Sequence, residues 1–567
     1  MIEAWSAAQV REAEEPLLAA GVPLMERAAF ALSRVVLDDL RARRHLCGGG
    51  SVRGAQVALL VGPGNNGGDA LFAGAYLARR GVAVTACLVA GNAHQAGLSA
   101  FVKAGGRVVR DITRIAEAVT ADVIVDGLLG IGATGPVRGN TCAVIEALLA
   151  ALPEAPNPRR PWVVAVDAPS GIGVDDGAVA GPVLPADRTV TFGVAKPGLL
   201  LPPAAHLAGL VTIVDIGIPL GVSPLVRRLE PANVAACWVA PVPGDHKYTR
   251  GVVGVVAGTE TYPGAAVLTV GAAARCGAGM VRYLGPSTVT SAVLAAQPEV
   301  VTVDGPVQAW VLGPGVPAFG DGLSGDEPSG DESQHRERAR LALAIAAGWL
   351  RDPRLTARAT TAAERSALLA SPAAPGQGAV SQEALEARRR LAARGIGMVP
   401  VVVDAGALTL LERPVPPWVV LVPHAGELAT LLATRGEQVA GRPVSRADIE
   451  AEPLRWTQRA HELTGATVLL KGAITVVVGP KGATFAQASA PAWAATAGSG
   501  DVLAGILGAM LAARAVEVVA QPELAAEVAA AAAELHGLAA ARVNPGGPLT
   551  AGAIAAALPE TIADLLV

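Results

Sequence analysis

The stretch Thr496-Ala497-Gly498-Ser499-Gly500-Asp501 runs directly into an apolar segment at 502–507. Its glycines let the backbone turn successive N–H groups toward one point, and a helix starting there adds the positive end of its dipole. Such a turn holds an anion. A carboxylate at its mouth repels phosphate, unless it takes a proton from the group attacking that phosphate. Asp501 therefore reads as a catalytic base, although an N-cap aspartate after a glycine turn has the same local pattern. Other polar residues end strand-like runs nearby in the chain: Asp404 after 399–403, His424 after 419–422 and Lys471 after 467–470. Such positions line the crevice of a parallel sheet, so the group points to one ligand.

A second set lies in the first half. A buried-strand pattern at 55–61 leads into Gly62-Pro63-Gly64-Asn65-Asn66-Gly67-Gly68-Asp69 and then a helical segment at 70–80. Strand, glycine turn and helix form a phosphate cradle, but this is neither the dinucleotide glycine fingerprint nor a Walker loop. A strand at 123–125 ends in Asp126 and a glycine-rich run to Pro136, and another at 162–166 ends in Asp167-Ala168-Pro169-Ser170-Gly171. Asn65, Asn66, Asp69, Asp126, Asp167 and Ser170 then converge at strand ends of one sheet. An isolated aspartate after a strand is usually a turn former; polar sets at successive strand ends are not.

The elements that position these groups alternate strand and helix. Residues 7–45 carry a helical apolar stripe divided by Pro16 and Pro23. Strands follow at 55–61, 82–89, 123–125 and 162–166, and in the second half at 252–257, 399–403, 419–422 and 467–470, with a helix of small residues at 265–276. Prolines crowd 219–243, which marks a linker at 220–241 between domains at 1–219 and 242–567. The loop Gly244-Asp245-His246-Lys247-Tyr248-Thr249-Arg250-Gly251 carries enough polar groups to bind something. Residues 320–394 read as an insertion without chemistry: 320–336 is flexible in composition, and helical spacing follows at 339–350, 359–369 and 382–394.

Composition limits the function. The chain has 567 residues and 51% hydrophobic content with few aromatics, which suits α/β packing in several domains. Gly, Pro or charges interrupt every apolar run, and the N-terminus lacks a basic region before an apolar core, so neither a membrane span nor a signal peptide is expected. A net charge of −4 with mixed signs gives no sign of nucleic-acid binding. Five scattered cysteines argue for a reducing compartment, hence the cytoplasm, and against structural zinc. Only Lys103, Lys196, Lys247, Lys471 and Lys481 are lysine among 45 basic residues, which draws attention to Lys247 and Lys471.

Asn-Asn-Gly-Gly-Asp, Val-Asp-x-Leu-x-Gly-x-Gly and Val-Asp-x-Pro-Ser-Gly, with Leu24-Met25-Glu26-Arg27-Ala28, resemble the NAD(P)H-hydrate epimerase domain over about residues 1–220. The resemblance implies a Rossmann-like three-layer fold and interconversion of the R and S forms of hydrated NADH and NADPH. Carried over by position, Asn65, Asn66, Gly67, Gly68, Asp69, Gly130, Ile131, Gly132, Ala133, Thr134, Gly135, Pro136 and Asp167 would hold the hydrated nucleotide. Asn66, Asp126 and Ser170 would contact K+, and Asp126 would be the acid/base. Ala70 stands where the family usually continues with glycine, and its methyl is expected to narrow the loop slightly.

In the second half, Gly-x-His-Lys-Tyr-x-Arg-Gly, Gly-Pro-Gly, Val-Asp-Ala-x-Ala-Leu, Pro-His-x-Gly-Glu, Leu-Lys-Gly-Ala and Ala-Gly-Ser-Gly-Asp resemble the ADP- or ATP-dependent NAD(P)H-hydrate dehydratases. These belong to the ribokinase-like superfamily, which implies a second three-layer α/β domain. Ala265, Gly315, His424 and Asp501 would touch the hydrated nucleotide. Lys471, Gly472, Ala473, Ile474, Thr475 and Gly500 would bind ADP or ATP, with Mg2+. The whole chain is thus similar to bifunctional repair enzymes, isomerase and lyase in one, acting on hydrated NADH (NADHX) and hydrated NADPH (NADPHX). A homo-oligomer is expected, with no nucleic-acid or membrane partner. A small-alcohol kinase of ribokinase type, fused to a non-catalytic nucleotide-binding module, is the alternative.

Overall fold

The computed structural model describes residues 1–46, 51–133, 135–154, 157, 159–316, 330–350 and 397–567. The chain divides into two compact units, Glu3–Val226 and, with the first two residues, Arg227–Val567. The division falls within the proline-rich stretch 220–241.

In the first unit, period-two alternation decides the layers. Along β1 (Gln56–Val61), Val57, Leu59 and Val61 join one core while Ala58 and Leu60 join another. The first core receives α2 (Leu24–Leu46), α3 (Asn65–Ala78) and Phe101 of α4 (Gln95–Lys103); the second receives Val144, Ile145 and Leu148 of α5 (Gly139–Ala151). Before them, α1 (Ala7–Ala19) opens the unit. With β2 (Ala83–Leu88), β3 (Arg107–Val109), β4 (Val123–Gly127), β5 (Trp162–Val166), β6 (Arg188–Phe192) and β7 (Leu210–Val214), the sheet order is β3-β2-β1-β4-β5-β6-β7. Every neighbouring pair is parallel. This is the doubly wound, Rossmann-like arrangement, and its order reverses between β1 and β4.

Two local expectations change. The helix after β1 starts at Asn65, not at 70, so Asn-Asn-Gly-Gly-Asp forms its first turn instead of a loop. Gly64 caps it in extended conformation, and a Cβ at Gly67 would lie 2.1 Å from Gly62 O, so glycine there allows close backbone approach. Ala70 is consequently buried in the core beneath the helix, and its methyl does not narrow a loop. Pro16 does not divide the N-terminal helix either: α1 runs through it to Ala19, without the bond a residue with an N–H would make there to Glu12 O. The break comes at Gly21 and Pro23.

The second unit has β8 (Val252–Val256), α6 (Pro263–Arg275), β9 (Met280–Tyr283), β10 (Ala309–Leu312), α7 (Gly330–Ala346), β11 (Val401–Val403), β12 (Val419–Leu421), α8 (Ala425–Ala433), α9 (Pro453–Thr464), β13 (Thr467–Leu470), β14 (Thr475–Val478), β15 (Thr484–Gln487), α10 (Ser499–Ala513), α11 (Leu524–Val543) and α12 (Ala551–Leu566). Its strands run β9-β8-β10-β11-β12-β13-β14-β15, parallel through β13 and antiparallel beyond. Every residue of β8, β11, β12 and β13 is buried, as in a sheet covered on both faces. Both units are therefore α/β with parallel sheets.

α10 packs against α6 and α11, and α11 packs against α12. By length and composition α11 could cross a membrane, but Glu527, Glu534 and Gly537 interrupt its apolar run and 78% of its apolar window is buried in this unit. It is a core helix. α7 begins inside the stretch read as flexible at 320–336; the helices expected at 359–369 and 382–394 lie outside the described residues.

The contact at Gly67 gives a direct test. Gly67→Ala should destabilise the first unit by about 1–3 kcal/mol through backbone overpacking, seen as a lower midpoint for that unit's unfolding transition. An unchanged midpoint would mean that α3 has room to shift.

Candidate functional site

In the first unit the crevice opens where β1 and β4 separate in chain order, at their carboxyl ends. Asn66, Asp126 and Ser170 meet there around Leu129. Asp126 is wholly buried: its Oδ1 accepts from Ser170 Oγ at 2.7 Å and Leu128 N at 3.2 Å, and its Oδ2 from Ser170 N at 2.9 Å. Ser170 Oγ also accepts from Leu129 N at 3.0 Å, while Asn66 Nδ2 donates to Leu129 O at 2.9 Å and Val166 O at 2.6 Å. Burial pushes the Asp126 carboxyl up, and the bonds from Ser170 and Leu128 pull it down. Both its oxygens are engaged, so proton exchange with a substrate carbon would require these bonds to open.

Asn65 is exposed at the start of α3, while Asn66, Gly67, Gly68 and Asp69 are buried. His94 and the Met25 sulfur cover Gly68, which places the Leu-Met-Glu-Arg-Ala motif of α2 beside this turn. Gly130, Ile131, Gly132, Ala133, Gly135 and Pro136 form a half-buried to exposed turn after β4; Thr134 lies outside the described residues.

Asp167 has a left-handed backbone, φ 66°, and ends β5. Its Oδ1 accepts from Thr191 Oγ1 at 2.9 Å, Phe192 N at 3.3 Å and the Lys196 ammonium. Lys196, 1% exposed, also donates to Thr191 Oγ1 at 2.9 Å and Phe192 O at 3.0 Å. Asp69 shares this neighbourhood: burial, then the charges of Asp167 and Glu14, push its carboxyl well up, against the opposing pull of Lys196. Glu14 of α1 is pushed up by burial, with Lys196 pulling down, Asp167 pushing up and Arg11 pulling down. Sequence reasoning missed Lys196 and Glu14. The scarcity of lysine was the available signal, and it was spent on Lys247. That side chain is exposed and lies over the Tyr248 ring. Its loop packs at the amino ends of β8 and β9, where Gly279 N bonds Gly251 O, away from the carboxyl ends that carry the other polar residues.

In the second unit the expected groups converge. Lys471 Nζ donates to Asp404 Oδ1 at 2.7 Å and lies 3.7 Å from Glu427 Oε2. Gly500 faces the same ammonium: a Cβ there would be 3.4 Å from Nζ. His424 caps α8, its Nδ1 accepting from Gly426 N at 3.0 Å and Glu427 N at 3.3 Å; its exposed ring lies 3.5 Å from Glu427 Oε1 through Nε2, and its backbone pairs with that of Lys471 in a parallel β-bridge. Gly472 and Ala473 are exposed at the hairpin from β13 to β14, with Ile474 buried and Thr475 half-buried. Ala265 and Gly315 touch at the start of α6, where a Cβ on Gly315 would meet the Ala265 methyl at 2.5 Å. Gly313, in the same turn, abuts Asp404 O.

Gly498 has φ 86° and starts α10. Ser499 N donates to Thr496 O, and the Ser499 hydroxyl lies 3.1 Å from Nε2 of His536, whose pKa burial lowers to about 4. Ser499 is thus an anchor, and among the described residues the N–H groups of Gly500 and Asp501 have no protein acceptor. Asp501 is pushed up to about 6 by burial and by Asp404, with Lys471 pulling down and Glu427 pushing up. Glu427 was visible in its motif but not selected as a site residue.

The amino-terminal part of the chain matches the family described as YjeF-related protein N-terminus over residues 21–198. The rest matches the NAD(P)H-hydrate dehydratase family over 253–322 and 367–558. A bifunctional NAD(P)H-hydrate repair enzyme Nnr of Mycobacterium leprae is 39% identical over 529 residues, 90% of this chain and 89% of that one. The chain belongs to the bifunctional NAD(P)H-hydrate repair enzyme family. An NAD(P)H-hydrate epimerase of Clavibacter michiganensis is 46% identical over 235 residues, which is 40% of this chain and 95% of that protein. A crystal structure of ADP/ATP-dependent NAD(P)H-hydrate dehydratase from Bacillus subtilis, co-crystallised with ATP/Mg2+, aligns with a TM-score of 0.41 and 19% identity over 60% of this chain and 98% of that one. The two family matches thus fall one in each compact unit.

Removing the central ammonium of the second crevice should be expensive. Lys471→Met leaves Asp404, whose side chain is 3% exposed, without its cation, and should lower stability by about 3 kcal/mol. Adding Asp404→Asn should restore most of the loss in urea unfolding; a double variant no more stable than the single one would contradict this pairing.

Proposed function

We propose that this chain repairs hydrated nicotinamide nucleotides. Its first unit interconverts the R and S epimers of NADHX and NADPHX, and its second dehydrates the S epimer at the expense of ADP or ATP. The observation that carries the dehydratase reading is Asp501 itself: a carboxyl raised to about 6, directly beside unfilled N–H groups at a helix start and a buried ammonium. Hydrated NADH carries a hydroxyl on carbon 6 of the reduced ring, and hydroxide is a poor leaving group. Asp501 takes the hydroxyl proton as its oxygen attacks the terminal phosphoryl, while the N–H groups of 500 and 501 and Lys471 offset the charge that develops there. Phosphate then leaves carbon 6, pushed by the ring nitrogen, the iminium so formed loses a proton from carbon 5, and NADH or NADPH is restored. AMP remains from ADP, or ADP from ATP.

The described residues contain no group of three metal-ligating side chains, and Asp404, Glu427 and Asp501 surround an ammonium. Mg2+ therefore fits as an ion brought by the nucleotide phosphates, where it neutralises their charge. In the first unit Asp126, Ser170 and Asn66 offer carboxylate, hydroxyl and amide oxygens, a donor set that suits K+. We assign Asp126 to holding that cation and Ser170, with any acid/base role confined to a state in which their mutual bonds open. His424, Ala265 and Gly315 border the hydrated nucleotide, and 471–475 with Gly500 border the adenine nucleotide. Assembly as a cytoplasmic homo-oligomer belongs to the same reading.

Chemically hydrated NADH, as a mixture of epimers with K+, Mg2+ and ADP or ATP, tests both halves through the return of NADH absorbance. Recovery of the whole mixture is expected. Recovery that stalls once one epimer is consumed would remove the epimerase, and none with either nucleotide would favour a small-alcohol kinase. Asp501→Asn should lower dehydration by roughly 100- to 10,000-fold with the fold retained. In the wild-type chain the base must be ionised, so the rate should fall as pH drops through about 6; a rate flat to pH 5 would speak against Asp501 as the base. Ser170→Ala should raise the K+ concentration needed for epimerisation, and an unchanged K+ response would overturn that ligand assignment.

A further inference from the structure

We propose that Lys196 is a positioning residue of the epimerase: it fixes the Asp167 carboxylate, in charged form, toward the hydrated ring. The assignment rests on the epimerase reading above and adds a residue that reading does not contain. Lys196 is nearly inaccessible, and its ion pair with Asp167 has side-chain exposures of 2% and 8%. A buried ammonium is costly unless paired and fully hydrogen-bonded, and here all three of its protons have acceptors: Asp167 Oδ1, Thr191 Oγ1 and Phe192 O.

The geometry singles out one carboxylate oxygen. Oδ1 of Asp167 receives Lys196, Thr191 and Phe192 N together, while no protein donor to Oδ2 is found among the described residues. Asp167 also holds a left-handed backbone, φ 66°, an uncommon conformation for a residue with a side chain. Strain of this kind persists where surrounding structure over-determines it. Lys196 and Thr191 supply that constraint from the chain following β5, leaving the second oxygen for a ligand in the crevice.

The charges facing Asp167 come from separate elements. Lys196 faces it from the segment after β6, Asp69 from α3 and Glu14 from α1, with Arg11 beside Glu14. Among these charges, Lys196 is the one that contacts the Asp167 carboxylate directly. Epimerisation at carbon 6 exchanges a hydroxyl between two ring faces. When the ring opens, a carboxylate held charged there takes the hydroxyl proton as the bond from carbon 6 to the ring nitrogen breaks and an aldehyde forms, and the nitrogen takes up that proton. After rotation the nitrogen closes on the other face of the aldehyde and the proton returns to its oxygen, so the first step needs the ionised carboxylate.

The full chain serves for the test. After the S epimer has been consumed, the remaining NADH recovery is limited by epimerisation, which gives kcat and KM for the R epimer against the spontaneous background. Lys196→Met should lower that kcat about 10- to 100-fold, and move the acid limb of its pH profile to higher pH because Asp167 loses its cation. Lys196→Arg should lower kcat but keep the acid limb near the wild-type position. Thr191→Val, which removes one donor to Asp167 and keeps the ammonium, should move the limb the same way by less, and decides the matter if Lys196→Met does not fold. A folded Lys196→Met with wild-type rate and profile overturns the proposal, as does a loss of rate with the acid limb unmoved. A wild-type chain that stalls after one epimer overturns the epimerase reading and this assignment together.

Discussion

A carboxylate buried at the end of a strand needs hydrogen-bond donors or an opposite charge close by, and in each unit one such aspartate meets that demand with a single lysine. Asp167 pairs with Lys196 and Asp404 with Lys471. Removing either lysine would leave a buried carboxylate without its counter-charge. Once such a pair is in place it fixes more than itself. Lys471 draws Glu427 and Asp501 into one cluster, and Lys196 does the same for Asp69 and Glu14. The raised pKa of Asp501 comes first from burial and from Asp404, with the ammonium pulling against them.

The parallel sheets explain why these clusters lie where they do. In a covered parallel sheet the strand interiors are mostly apolar on both faces, so charged side chains concentrate where a strand ends. The doubly wound order then opens a crevice at the carboxyl ends where neighbouring helices diverge. β1 and β4 do this in the first unit, and β8 and β10 lie at the corresponding reversal in the second. Helix starts at Asn65 and Ser499 bring their positive ends to the same level.

Within this common plan the two crevices treat their aspartates differently. Asp126 has both oxygens committed to Ser170 and Leu128, which makes it a fixed point of the first crevice. Asp501 has no such bonds; its raised pKa comes from burial and from neighbouring carboxylates, so its proton is free to move. A carboxylate saturated by donors holds a position or an ion, and one left without donors exchanges protons.

Much of this was legible in the amino-acid sequence. Strands at 162–166 and 467–470 coincide with β5 and β13, because a short apolar run between turn residues carries its own signal. The ordered motifs pointed to the family that the comparisons establish, and Asp404, His424, Lys471 and Asp501 were marked by their place after strands. What only tertiary structure decided were matters of distance along the chain. Lys196 meets Asp167 across 29 residues and Lys471 meets Asp404 across 67; no local periodicity encodes either. The same reason explains Lys247, which looked like a ligand group but stands at the other ends of the strands. Sequence determines which residues can bear charge and where strands stop, since those depend on neighbours in the chain. Which charge faces which depends on helices and loops folding back across the sheet, and that is decided only when the core packs.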